Sequence, residues 1–231
     1  MEELEKLSPL RAALQSGSLA AVLDMLPIVG AAVQGALSGA THARWVNRVV
    51  EEAEKIDKRI DELEERVHQD YITSDEFKDL VADAMSEAAR FESEERRRLY
   101  SSVVVGAAVA GPGSHIVARR MMRRIEALDP IHFKFLKGMA LAENLDPDLP
   151  VTHTAIQWCE NLLSKVLGRL TGGRVESLLF DLQSEGLLRP EPLEHLRTMR
   201  SSFTASDARR WISSRGQETL RYLWPEDANR I

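Results

Sequence analysis

Residues 46–67 read Val-Asn-Arg-Val-Val-Glu-Glu-Ala-Glu-Lys-Ile-Asp-Lys-Arg-Ile-Asp-Glu-Leu-Glu-Glu-Arg-Val. Val46, Val49, Ala53, Ile56, Ile60, Leu63 and Val67 recur at alternating steps of three and four. That spacing places them on one stripe of a helix, at the a and d positions of about three heptads. Charged residues flank the stripe: Glu52, Arg59 and Arg66 at g, and Asp57 and Glu64 at e. The pattern predicts a charged helix over 42–70 with an apolar seam that needs a partner helix. The partner is either a second copy of the chain or another helix of the same chain. On the first alternative these seven residues are the self-association surface.

Immediately before this helix lies an apolar stretch rich in small residues, 19–41. Gly35 and Gly39 form a GxxxG pair, and Ala32, Ala36 and Ala40 continue the small-residue stripe. Such stripes let helix backbones approach closely, in lipid or in a tight bundle. Gly30, Gly35 and Gly39 are the close-packing or membrane candidates. Asp24 and Pro27 divide the segment, and the apolar run after Pro27 is too short to span a bilayer, which needs about 20 residues. A buried helical hairpin and a conditionally membrane-inserting element both fit.

Downstream, Thr73-Ser74-Asp75-Glu76 has the form of a capping box, with Thr73 as N-cap and Glu76 at N3. It opens a charged helix expected over 73–110, with Phe77, Leu80, Val81, Ala84, Ala88 and Phe91 on its apolar side. The block Glu92-Ser93-Glu94-Glu95-Arg96-Arg97-Arg98 reads as a solvated face with favourable i,i+4 pairs. Gly111-Pro112-Gly113 ends the helix. Arg119, Arg120, Arg123 and Arg124 then form a basic patch, and Asp129-Pro130 closes the zone.

The composition bounds the function. The 231 residues are 44% hydrophobic and 29% charged, ordinary values for a folded chain with a real core. Thirty basic and 36 acidic residues give a net charge of −6, which argues against broad affinity for nucleic acid. A single cysteine, Cys159, excludes an intrachain disulfide and a cysteine-based zinc cluster. The acidic start Met1-Glu2-Glu3-Leu4-Glu5 lacks the basic region of a secretory signal, so a cytoplasmic location is expected, with peripheral or conditional membrane association.

The last hundred residues, 128–231, read as a second domain. Helices are expected over 131–143, from Thr152 to about Leu170, and over 175–185, with Gly186 placed to end the third. Leu187-Leu188-Arg189 and Arg210-Trp211-Ile212 are the expected strands of a small β-hairpin, and a final helix covers 215–223. The segments Leu182-Gln183-Ser184-Glu185-Gly186-Leu187-Leu188 and Ser214-Arg215-Gly216-Gln217-Glu218-Thr219-Leu220-Arg221-Tyr222-Leu223 resemble a winged helix domain. The first ends its recognition helix, and the second opens the helix after the wing. The long stretch 190–209 departs from a simple wing. The resemblance implies that Arg174, Ser177 and Gln183 would be the nucleic-acid contacts. Glu176, Asp181 and Glu185 share that helix, and the zone holds 13 basic and 14 acidic residues, so a protein-interaction or purely structural winged helix is favoured over a DNA reader.

The whole chain, through Pro27-Ile28-Val29-Gly30, the stretch Phe77 to Tyr100, and the Gly186 and Gly216 motifs, also resembles bacterial abortive-infection proteins of the alpha type. That resemblance implies a role in defence against phage and supplies no catalytic residues.

No Walker loop, GxSxG or HExxH is present, and none of His42, His68, His115, His132, His153 and His195 pairs with another at metal-ligand spacing. Arg189 and His195 match the spacing of a HEPN nuclease element, but Pro190 and Pro192 break the helix that element needs. The expectation is a mainly α protein. A helical region, 1–127, contains a coiled-coil-like helix, and a winged-helix-like domain, 128–231, follows it. It would be non-enzymatic, without metal or cofactor. Its role would be bacterial defence or stress response through self-association and membrane contact. A transcriptional regulator and a structural adaptor for a protein partner are the alternatives.

Overall fold

A computed structural model describes residues 39–145, 154–167, 173–190 and 203–231. The protein is mainly helical. The chain divides between Ile125 and Glu126 into two compact units.

In the first unit the heptad stripe lies on α1, Gly39–Glu62. Its apolar seam packs within the chain, against α3, Asp75–Ala89, and α4, Glu94–Ala110. The expected helix to residue 70 ends at Glu62. A 3-10 turn, Glu64–Arg66, and a one-turn helix α2, Gln69–Ile72, follow it. Val67 stays buried although its backbone is extended.

The cap of α3 is Ser74, one residue later than the sequence suggests. The Ser74 hydroxyl accepts the Phe77 amide at 3.2 Å, while Thr73 donates to the Asp70 carbonyl and finishes the preceding turn. The single helix expected over 73–110 is two helices. Ser93 accepts the Arg96 amide and starts α4, and Glu94 and Glu95 in its first turn favour that end electrostatically. Beyond Ser93, α4 is buried from Leu99 through Ala108 on nearly every side, which makes it the central helix of this unit. Its end is set by Gly111, at φ 80°, where a Cβ would lie 2.7 Å from the His68 ring. The basic helix α5, His115–Ala127, buries Ala118, Met121, Met122 and Ile125 and turns Arg119, Arg120 and Arg123 outward.

The second unit is built on α6, Pro130–Leu145, whose Phe133, Phe135, Leu136 and Met139 are buried. Packed on it are α7, Ala155–Leu167, α8, Gly173–Ser184, α9, Ala205–Trp211, and α10, Ser214–Leu223. Helix α8 ends in a Schellman motif: Leu187 N–H donates to Leu182 O, Gly186 N–H donates to Gln183 O, and Gly186 has φ 69°. Where a hairpin is expected, the described residues hold one antiparallel bridge, Leu188 to Ile212. Arg210 and Trp211 belong to α9 instead. A Thr204–Asp207 capping box starts that helix, and it runs up to the bridge.

Candidate functional site

Most of the described self-association candidates are buried within one chain. Ala53, Ile56, Ile60 and Val67 are buried in the first unit, and Leu63 is half-buried. The side chains of Val46 and Val49 lie outside the described residues. Of the close-packing candidates, Gly39 is the first residue of α1, and Gly30 and Gly35 lie outside the described residues with the rest of 19–38. Among the described residues no helix is long and apolar enough to cross a membrane.

One part of the presumed solvated block is an interior clamp. Arg97, 7% exposed, meets Glu52, 1% exposed, at 3.3 Å. The other Glu52 oxygen accepts the Ser101 hydroxyl at 2.7 Å, and Lys55 approaches the first at 3.1 Å. Arg97 also donates to the carbonyls of Phe91 and Glu92, at 3.1 and 2.7 Å, in the turn before α4. Burial pulls the Lys55 ammonium down, but hydrogen bonds to Glu51 and Glu52 outweigh it and the net shift is upward. A carboxylate surrounded by two cations and a hydroxyl is well satisfied, so this cluster clamps α1 to α4.

A second polar group gathers where α5 begins. His115 Nδ1 lies 2.6 Å from a Glu76 oxygen, and the Ser114 hydroxyl is within 3.1 Å of the Tyr71 hydroxyl and 3.3 Å of the Ala107 carbonyl. Burial raises the Tyr71 phenol. These contacts strap α5 to the helices before it. Cys159 is fully buried, and burial pushes its thiol well above its ordinary value, which suppresses thiolate chemistry. Among the described residues no group of three or more His, Cys, Asp or Glu could hold a metal ion.

The outward face of α8 is different. Val175, Leu178, Leu179 and Leu182 point into the core. Arg174, Ser177 and Ser184 are exposed, and among them stands Phe180, 59% exposed. Helical spacing puts Ser177, Phe180 and Ser184 on one stripe. Gln183 does not join it: it is half-buried, and its Nε2 donates to Pro190 O at 3.0 Å. Asp181 is also drawn back, 3.1 Å from Nε2 of the buried His132. Nδ1 of the same ring lies 3.1 Å from both the amide and the carbonyl oxygen of Asp129. The sequence pattern did not single out Phe180; its signal is an aromatic residue off the 175-178-179-182 apolar set.

Behind α8 the chain turns over two glycines. Ser213 caps α10 by accepting the Gly216 amide at 3.0 Å and donates to the Gly186 carbonyl at 2.6 Å. A Cβ at Gly216 would run into the Leu187 carbonyl oxygen. This turn is what fixes α8 against the end of the unit. No protein-family description, curated protein or solved structure matches the chain.

Proposed function

We propose that the chain is a non-enzymatic interaction protein of the bacterial-defence kind, whose winged-helix-like C-terminal unit presents α8 to a protein partner. The observation that carries this reading is Phe180, a large aromatic side chain held in solvent on a helix otherwise well packed. An exposed aromatic residue framed by small polar ones is a typical anchor for a partner pocket. A duplex reader would instead offer a basic helix. Here Gln183 is engaged with Pro190, Glu176 stands exposed beside Ser177, and Arg174 is the lone basic residue of α8. The part of the first unit that the heptad seam would have offered to a second copy is already covered by α3 and α4, which favours a role for the other unit in partner contact.

Plating of a phage panel on cells expressing the chain tests the reading. Wild type is expected to lower plaque numbers for at least one phage, and Phe180→Asp to restore them while the helical spectrum is unchanged. Protection by Phe180→Asp equal to wild type, or no protection against any phage, contradicts it.

A further inference from the structure

The outward face of α5 combines an exposed apolar side chain with arginines that the fold does not use. Ile116 is 53% exposed. Arg120 and Arg123 follow it at helical spacing, so the three share one stripe opposite the buried Ala118, Met121 and Ile125. Other arginines of this unit have contacts: Arg48 donates to the Ala89 carbonyl, Arg59 to Ser102, Arg124 to the Met121 sulfur, and Arg90, Arg97, Arg98 and Arg119 to carboxylates. Arg96 lies over the Phe91 ring. Arg120 and Arg123 are exposed and form no ion pair among the described residues.

The complement of that face is on the same unit. At the end of α1, half-buried Leu63 is followed by Glu64 and Glu65, both exposed and both without an ion pair among the described residues. One surface is thus an apolar residue with two uncommitted cations, and the other an apolar residue with two uncommitted anions. They do not neutralise each other within the chain.

We propose that a second copy of this chain docks here, the acidic 3-10 turn after α1 of one copy against the basic face of α5 of the other. Made reciprocally across a two-fold axis the contact gives a dimer; made once per pair of copies it closes into a ring or runs on as a chain. It uses the half-buried end of the heptad stripe at Leu63 and leaves the buried Ala53, Ile56 and Ile60 untouched. The chain's net charge of −6 opposes non-specific self-association, and bringing opposite charges together locally offsets that repulsion.

Charge exchange between the two faces is the test, read by sedimentation velocity on the full chain. At about 100 µM, where a micromolar association is saturated, wild type is expected to be larger than a monomer. Raising salt from about 0.1 M to about 1 M, which shortens the screening length from about 10 Å to about 3 Å, should dissociate it. Arg120→Glu/Arg123→Glu and Glu64→Arg/Glu65→Arg should each weaken association at least about tenfold, because like charges now face each other. An equimolar mixture of the two variants should associate again. Arg120→Ala/Arg123→Ala serves if a reversal variant loses helix, and should also weaken association. A monomeric wild type, variants that associate as wild type does, or a mixture that stays dissociated overturns the proposal.

Discussion

Arg97 and Glu52 lie 45 residues apart in sequence and meet at 3.3 Å with almost no solvent around either. The pair joins α1 to α4, and the same guanidinium holds the turn carbonyls of Phe91 and Glu92. Removing one partner leaves the other charge buried. Arg97→Met is therefore expected to destabilise the protein by about 3–5 kcal/mol. Adding Glu52→Leu to it should recover much of that loss, because an apolar pair of similar volume carries no desolvation cost. Urea denaturation of the single and double variants measures both. A loss under about 1 kcal/mol for Arg97→Met would show that water reaches the pair.

Gly216 and Gly186 should differ in their tolerance of a methyl group. At Gly216 the added carbon collides with the backbone carbonyl of Leu187, which cannot rotate away. Gly216→Ala is expected to cost about 2 kcal/mol or more, as overpacking does. At Gly186 the nearest atom is the end of the flexible Arg215 side chain, and the cost is mainly the left-handed backbone, about 1–2 kcal/mol. Thermal unfolding of the two variants should rank them in that order, with Gly216→Ala the worse.

Stability should fall at alkaline pH. Burial raises the Tyr71 phenol above its ordinary 10.0. Lys55 sits above its ordinary 10.5 because its hydrogen bonds to Glu51 and Glu52 outweigh the opposing effect of burial. For both groups the folded value lies above the unfolded one, so their contribution is complete below the unfolded value and disappears as pH rises through the folded value. The melting temperature is expected to decline above about pH 10, less steeply in Tyr71→Phe. A decline of equal steepness in that variant would remove Tyr71 from the account.

Phe180 should matter to a partner and not to the fold. Phe180→Ser removes an exposed side chain from a helix whose packed face is untouched, so stability should change by no more than about 0.5 kcal/mol. A loss of several kcal/mol in a denaturation curve would mean the ring supports the fold instead.

The helical class was legible from periodicity, and the Gly111 and Gly186 stops from glycine's access to positive φ. The 3-4 spacing of the seam was legible too, but not its partner: a heptad stripe specifies a facing helix, not the chain that supplies it. Thr73 and Ser74 are adjacent cap formers, and the first is used to close the preceding turn at Asp70, which leaves the second to cap α3. The interior role of Arg97 was hidden because three consecutive arginines, 96–98, look alike in sequence, while helix geometry points them in different directions. Phe180 was visible as a residue but not as a surface. Its place off the 175-178-179-182 set was the local signal, and the packing of α8 on α6 and α7 decides that the ring stays exposed.

The most direct test of the central claim is a photocrosslinking amino acid placed at Phe180 and, as control, at exposed Glu218 on α10, in cells protected from phage. The account predicts a discrete protein adduct from position 180 that nuclease treatment leaves intact, and none from position 218. No adduct at 180, or one that nuclease removes, would contradict it.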